Sequence, residues 1–194
     1  FGDSLVTWAA QRVAAGALPP GHDLAAHPVA VAAIQQQAQR ILYTGEGGKG
    51  VPHATPNVML ERGLSCKGCH VFHEEKGQLV KSSTLRSSGA ACESCHGPGF
   101  ARIQKDWARA AAAKLETLRA IYERAGREVR GSRQAKAAEA RALLDEAGFN
   151  IDLIERGKSV HNITYSQELI AASWDRISEA LRLVGSPYAP EKIA

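Results

Sequence analysis

Two short motifs of identical pattern contain all four cysteines of the chain. Each motif reads Cys-x-x-Cys-His, and the two copies occupy positions 66–70 and 92–96. Two thiols three positions apart on one helical turn can add to the two vinyl groups of a single porphyrin, and the adjacent imidazole can then reach the iron from one face. This spacing is typical of covalent c-type haem attachment. The sequence therefore predicts two haem c groups, with these thiols and proximal ligands: Cys66, Cys69, Cys92, Cys95, His70 and His96.

Four cysteines in two pairs also have other uses. A pair of Cys-x-x-Cys motifs with 22 residues between them is close to the spacing of a four-cysteine zinc site, where roughly 15–20 residues separate the pairs. Four cysteines can also form two disulfides. Neither alternative explains why a histidine directly follows both pairs, so haem attachment is the favoured interpretation.

The chain has more histidines than the two motifs use. It contains seven histidines and one methionine. The single methionine, Met59, allows at most one haem a thioether ligand, so two histidine ligands are expected for each iron. Bis-histidine ligation gives a lower reduction potential than a histidine–methionine pair. The distal ligands must come from the remaining histidines, which are His22, His27, His53, His73 and His161.

His161 is the preferred distal ligand and His27 is the second choice. The neighbours of His161 include Val160 and Ile163, which predict an apolar setting, and Tyr165 follows one helical turn later on the same face. His27 precedes a proline that opens an amphipathic helix, and the apolar side of such a helix must pack on something.

His53 and His73 remain as alternative distal ligands. His53 lies in a loop rich in glycine and proline, 13 residues before Cys66. His73 follows His70 by three residues, so it cannot reach the opposite face of the same porphyrin, although it could bind the neighbouring iron. His22 lies in a turn and is expected to be solvated.

Composition favours a helical protein. The chain of 194 residues is 44% hydrophobic and 6% aromatic, alanine is abundant and β-branched runs are scarce. The sequence contains no apolar run of about 18 residues, the length that a membrane-spanning helix needs. The formal net charge of +4 is reduced by the propionates of two haems. The basic charge is therefore no argument for a nucleic-acid partner.

One domain covering residues 1–194 is expected, with three parts. An N-terminal helical arm occupies residues 1–60, a haem-binding core residues 61–100, and long helices residues 101–194. Within the core, the polar stretch 76–90 is rich in glycine and serine, which predicts an irregular connection between the two motifs.

The C-terminal half shows helical periodicity. Apolar residues recur there at steps of three and four positions: Ile103, Trp107, Ala111, Leu115, Leu118, Tyr122 and Ala125. Glycines at positions 126 and 131 predict the end of this helix. Two further helices, beginning near residues 132 and 161, complete an antiparallel hairpin or small bundle. The predicted fold class is mainly α, with irregular haem-binding segments and this C-terminal bundle.

The order of features from Cys66 to about Val184 resembles the C-terminal part of ammonia-forming cytochrome c nitrite reductase and its multihaem relatives. In that family, two haem motifs are followed by long antiparallel helices, and a histidine at the start of the last helix ligates the final haem. The resemblance implies that His161 is the distal ligand of the haem on Cys92 and Cys95. It implies that the other haem takes its distal histidine from the N-terminal region.

This sequence lacks the Cys-x-x-Cys-Lys motif that carries the catalytic haem of those reductases. We therefore expect an electron carrier, not an enzyme: a dihaem cytochrome that exchanges single electrons with redox protein partners. An enzyme or ligand sensor with one open iron, and a subunit or fragment of a larger multihaem complex, are the alternatives. Haem attachment to thiols takes place outside the bacterial cytoplasm, so a periplasmic or cell-surface location is expected. An oligomer remains compatible with the sequence.

Overall fold

The computed structural model describes residues 28–70, 72–76, 78–81 and 87–193. Side chains are described for most of these residues, but not for 28–34, 72–75 and 79–81. Residues 1–27 of the predicted N-terminal arm, including His22 and His27, lie outside the described residues.

Helices dominate the described residues, which confirms the prediction of a mainly α fold. They are α1 (Pro28–Thr44), α2 (Val58–Glu61), α3 (Cys66–Cys69), α4 (Gly89–His96), α5 (Phe100–Gly131), α6 (Ala137–Gly157) and α7 (Ile163–Leu183), with a 3-10 turn at Ser159–His161. The long helix α5 continues through Gly126, which was expected to interrupt it, and ends at Gly131.

A short β-hairpin corrects the prediction of an irregular connection after the first motif. Strand β1 (Phe72–Glu75) pairs antiparallel with β2 (Gln78–Lys81), and Glu75 lies opposite Gln78. Lys76, in the two-residue turn, has a φ of 51°. Hairpins with two-residue loops favour turns with positive φ, so the Lys-Gly pair at 76–77 was a turn signal that the sequence analysis passed over.

The core lies between α5, α6 and α7, and α1 packs against α6. Apolar stripes on these helices meet because each helix buries residues at steps of three and four positions. Its large buried aliphatic side chains include Leu118, Val129, Ile151, Leu153, Ile154, Leu169 and Ile177, and α1 contributes Ala38 and Leu42. Within the described ranges, no helix is both long and apolar enough to cross a lipid bilayer.

Gly157 permits the close approach of α1 to the end of α6. A Cβ at residue 157 would lie 2.6 Å from Leu42 Cδ1 and 2.8 Å from the Ala38 carbonyl oxygen. The backbone oxygen cannot move away without displacing α1. A glycine is therefore required at the position from which the chain turns toward His161.

We predict that Gly157→Ala destabilises the protein, because the added methyl group overpacks this helix contact at a cost of about 1–3 kcal/mol. Gly126→Ala is the matched control, since a Cβ there meets only the flexible guanidinium of Arg130, at 3.0 Å. Alanine in a helix interior is favoured over glycine by roughly 0.5–1 kcal/mol. Thermal unfolding followed by circular dichroism should show a lower Tm for the first variant and an equal or higher Tm for the second. Equal Tm values for the two variants would contradict the packing argument.

Candidate haem-binding site

The first Cys-x-x-Cys-His motif forms a single helical turn. The amide of His70 donates to the Cys66 carbonyl at 2.9 Å, so the two thiols and the imidazole are held on one turn, α3. Helix α1 positions the segment just before this turn, because the Tyr43 hydroxyl donates to the Leu64 carbonyl at 2.7 Å. Cys66 is exposed, Cys69 is half-buried, and both are free thiols.

The second motif occupies the last turn of α4. The Ser88 hydroxyl caps this helix by accepting from the Ala90 amide at 3.2 Å. After the motif, Gly97 and Gly99 have φ values of 83° and 90°, which a residue with a Cβ rarely adopts. The Glu93 side chain accepts from the Gly99 amide at 2.9 Å. These contacts fix the turn from α4 into α5 directly behind His96.

The two motifs are neighbours in space. Burial raises the pKa of the Cys69 thiol, and the nearby thiols of Cys92 and Cys95 raise it further. The four thiols, all within the described residues, form no disulfide. Nor do three or more histidine, cysteine or acidic side chains of the described residues converge as a metal site.

The ring of His161 lies parallel to that of His70. Their ring centroids are 6.3 Å apart and the ring planes differ by 4°. A metal–imidazole bond is about 2 Å long and the ligating nitrogen lies about 1 Å from its ring centre, so two imidazoles on opposite sides of one ion have centroids about 6 Å apart. A direct stack is closer, as in the 4.0 Å separation of His96 and Phe100. The centroid separation of His70 and His161 is therefore compatible with both imidazoles ligating one iron.

Hydrogen bonds of His161 leave the correct nitrogen for a metal. Its Nδ1 lies 2.6 Å from the Gly157 carbonyl oxygen and 3.2 Å from that of Lys158. A carbonyl oxygen can only accept, so Nδ1 carries the proton and Nε2 keeps its lone pair. Metal-bound histidines commonly donate their other nitrogen to a backbone carbonyl, which orients the ring. Burial lowers the pKa of His161, and these two hydrogen bonds partly offset that effect. The neutral ring is the form that binds iron.

Lys158 holds an unusual backbone conformation beside this ligand. Its φ is 61° and its ψ is 120°, a region that favours glycine. The turn follows the last residue of α6 and brings the carbonyls of residues 157 and 158 to the same imidazole. Backbone strain is thus located at the candidate ligand, where the surrounding contacts can maintain it.

Two buried asparagines connect the His161 turn to the segment before the first motif. Asn57 donates from Nδ2 to the His161 carbonyl at 2.8 Å, and Asn162 donates from Nδ2 to the Thr55 carbonyl at 2.7 Å. Their side-chain oxygens accept from the amides of Met59 and Tyr165, and so cap α2 and α7. The sequence analysis missed both residues, although an asparagine before an apolar run is an N-cap signal.

His96 has a different environment from His70. It is exposed, and Phe100 stacks on its ring with an interplanar angle of 12°. The family resemblance implied that His161 serves the haem on Cys92 and Cys95, but the structure puts its ring beside His70 of the first motif instead. The packing of α6 on α1 and the hydrogen bonds of Asn57 and Asn162 hold the His161 turn against the segment that precedes the first motif.

Among the other predicted ligands His27, His53 and His73, only His53 has a described side chain. His53 is exposed, with Nε2 4.0 Å from a carboxylate oxygen of Glu168. His73 lies in β1 opposite Val80, and its side chain is outside the described set. His27 also lies outside the described residues. All three remain predictions.

Comparisons with known proteins agree with haem attachment. Residues 29–97, a little over a third of the chain, match the family model for cytochrome c554 and c-prime. The matched range contains both Cys-x-x-Cys-His motifs. No curated protein matches the chain. The sequence match thus supports a c-type cytochrome.

A solved structure is similar to the chain in its fold. The chain is similar to the outer cell wall cytochrome OcwA, with 18% identity and a TM-score of 0.54 over 72% of this chain. The match covers 29% of that cytochrome, so the chain corresponds to a minor part of a larger protein. Neither comparison names a nitrite reductase, and that resemblance stays a prediction.

We predict that Asn57→Ala lowers the free energy of unfolding by about 1–3 kcal/mol, because it removes a helix cap and leaves the partly buried His161 carbonyl without its donor. Asn57→Ser keeps a capping oxygen but is too short to reach residue 161, so it should lose a smaller amount. Chemical denaturation of the two variants measures this order. If both variants unfold like the parent chain, the link between residues 57 and 161 contributes nothing to stability.

Proposed function

We propose that the chain is a dihaem c-type cytochrome that transfers single electrons outside the cytoplasm. The observation that carries the proposal is the parallel pair of His70 and His161, spaced as two axial ligands of one iron. Bound haem supplies a reversible one-electron change between ferric and ferrous iron. The residues of this chain tether that group, fix its axial ligands and adjust its potential.

The first haem would be held by the thiols of Cys66 and Cys69, with His70 as proximal and His161 as distal ligand. An iron with two protein ligands has no vacant position for a substrate, which favours electron transfer over chemistry on a bound molecule. The hydrogen bond from His161 Nδ1 to the Gly157 carbonyl makes the imidazole more electron-donating. A more basic ligand stabilises ferric iron, so it lowers the potential beyond the effect of bis-histidine ligation.

The second haem would be tethered by Cys92 and Cys95, with His96 as its proximal ligand. Three histidines remain candidates for its distal ligand: His27, His53 and His73. The proximity of the two motifs, reflected in the rise of the Cys69 pKa that the Cys92 and Cys95 thiols cause, supports electron exchange between two adjacent haems. Two redox centres in one small domain suit a relay between protein partners.

Two observations support the proposed location of this relay. Covalent haem attachment supports a periplasmic or cell-surface location, and OcwA is described as an outer cell wall protein. The match to 29% of that chain favours a second candidate role, as one module of a longer multihaem assembly. Redox proteins are the expected partners in both cases.

Haem attachment is the first test. The intact protein should have the mass of the polypeptide plus two haems, and the haems should remain after acid–organic extraction. Replacement of Cys92 and Cys95 by serine should leave one haem, and so should replacement of Cys66 and Cys69. A mass equal to that of the bare polypeptide would end the proposal.

The assignment of His161 can be tested in these single-haem proteins. We predict that His161→Ala converts the haem on Cys66 and Cys69 from low-spin to high-spin, because it removes the distal ligand of that iron. In the reciprocal protein, which retains only the haem on Cys92 and Cys95, the same substitution should leave the absorption and EPR spectra unchanged. The exposed His53 provides a control, His53→Ala, for the first of these proteins. A spectral change confined to the second haem would instead support the assignment that the family resemblance implied.

Redox titration tests the electron-transfer role. We predict that both midpoint potentials lie below zero against the hydrogen electrode, because imidazole pairs stabilise ferric iron more than an imidazole and a thioether do. Repulsion between two charges about 10 Å apart at an effective dielectric near 20 is on the order of 1–2 kcal/mol, so the two potentials should differ by several tens of millivolts for a one-electron couple. Steady consumption of nitrite, hydroxylamine or peroxide, together with a high-spin iron, would favour the enzyme or sensor alternative.

A further inference from the structure

The first three turns of α5 carry large apolar side chains that the protein leaves exposed. Among the described residues, the exposed large hydrophobics are Val58, Ile103 and Trp107, at 63%, 39% and 47% exposure. Two of these three therefore lie on one helix, four positions apart. The first buried side chain of α5 is Ala111, so this part of the helix extends past the core. Exposed apolar surface of this kind commonly marks a binding site.

Phe100, Ile103 and Trp107 form one face of this extension, which we call the aromatic face. Their spacing of three and four positions brings them onto the same side of a helix. The basic residues Arg102, Lys105 and Arg109 follow the same spacing two positions later, about 200° around the helix. The extension is thus amphipathic: its basic side is suited to solvent, and its apolar side would be stabilised by an apolar group that covers it.

Ring contacts join the aromatic face to the second haem motif. The Phe100 ring stacks on the His96 imidazole with centroids 4.0 Å apart, and Trp107 meets Phe100 edge-on at 5.8 Å and 90°. A close contact between the two helices fixes this arrangement, since a Cβ at Gly89 would lie 2.6 Å from the Ala101 Cβ. The aromatic face therefore begins at the proximal ligand itself.

We infer that the porphyrin attached to Cys92 and Cys95 packs against the aromatic face, and that Phe100 is a positioning residue for the His96 imidazole. This inference rests on the proposed function. Covalent attachment identifies the group that covers this face. A porphyrin bound to thiols one and four positions before His96 must lie beside that residue. A second copy of the chain or a protein partner has no comparable attachment next to the face.

The role of Phe100 follows from the parallel rings. An imidazole bound to iron can rotate about the iron–nitrogen bond, and a second ring in contact with its face restricts that rotation. Trp107 and Ile103 extend the apolar surface away from the ligand, so they exclude water from the porphyrin. Water exclusion disfavours the more highly charged ferric form and raises the potential of the haem it protects.

The experiment compares Trp107→Ala with Trp174→Ala in the complete two-haem protein. Trp174 is the matched control, because it is half-buried on α7 and donates from Nε1 to the Glu191 carbonyl at 2.9 Å, away from both motifs. Spectroelectrochemical titration should show a lower midpoint potential for the second haem in Trp107→Ala, an unchanged first haem, and no shift in Trp174→Ala. Trp107→Phe should restore most of the parent value.

EPR spectroscopy tests the positioning role of Phe100 separately. Phe100→Leu keeps an apolar side chain but removes the parallel ring, so the EPR g values of the second haem should change, while Phe100→Tyr should retain them. Mass spectrometry of each variant shows whether haem attachment itself is intact, so that a failure of the proposed function can be told apart from a failure of this inference. A parent protein with no haem on Cys92 and Cys95 ends the proposed function, whereas two intact haems with unchanged potentials and g values overturn this inference alone. Loss of a dimer in Trp107→Ala, with both potentials unchanged, would also overturn it and identify the face as an interface between copies.

Discussion

The spacing between the rings of His70 and His161 is the constraint around which the described part of this chain is organised. The two residues belong to opposite halves of the sequence, yet their imidazoles lie parallel at 6.3 Å. Hydrogen bonds to backbone carbonyls can set the angle of one ring, but only the packing of whole helices can bring the rings together. Gly157 brings α6 against α1, and α1 holds the approach to the first motif through Tyr43. Helix packing and the proposed iron ligation therefore share one set of contacts.

The loop between α1 and α2 shows how that constraint extends into irregular backbone. Gly48 donates its amide to the Tyr165 hydroxyl at 2.7 Å, and a Cβ at Gly48 would lie 2.2 Å from Leu169 Cδ2. The fully buried side chain of Asn150 accepts from the amide of Lys49 and donates to its carbonyl. A buried amide left without partners would be costly, so this pairing fixes the register of the loop on α6. The first haem motif is thus placed by polar contacts as well as by apolar packing.

The features that could be predicted from the sequence are those that depend on neighbouring residues alone. The spacing of each Cys-x-x-Cys-His motif predicts thioether attachment without any knowledge of the fold, and helical periodicity predicts the stripe that buries Leu118 and Ala125. The same periodicity placed Trp107 on the apolar side of α5, but it could not reveal that the helix extends beyond the core there. Periodicity identifies the apolar side of a helix, whereas the element or ligand that covers it depends on the tertiary structure.

The non-local part of the site was harder to predict. His161 was the preferred distal ligand because its neighbours are apolar, and that argument says nothing about which iron it would reach. The choice depends on where α6 ends relative to α1, and so on the space left by one glycine at position 157. Asn57 and Asn162 were overlooked for a related reason: each reads as an ordinary helix cap, and its second hydrogen bond crosses between distant segments.

The two proposed haem sites differ in how far apart in the sequence their residues lie. The tether, the proximal ligand and the stacked ring proposed for the second site come from the continuous stretch 92–100, and only its distal ligand comes from elsewhere in the chain. The first site needs residues 70 and 161 together, which occurs only when α6 and α7 have packed on α1. A ligand that binds the folded chain and not the unfolded one stabilises the fold, so the distal bond would couple iron coordination to the packing of the bundle. That coupling offers a reason for backbone strain at Lys158, because the bond to a metal can maintain a conformation that local preferences oppose.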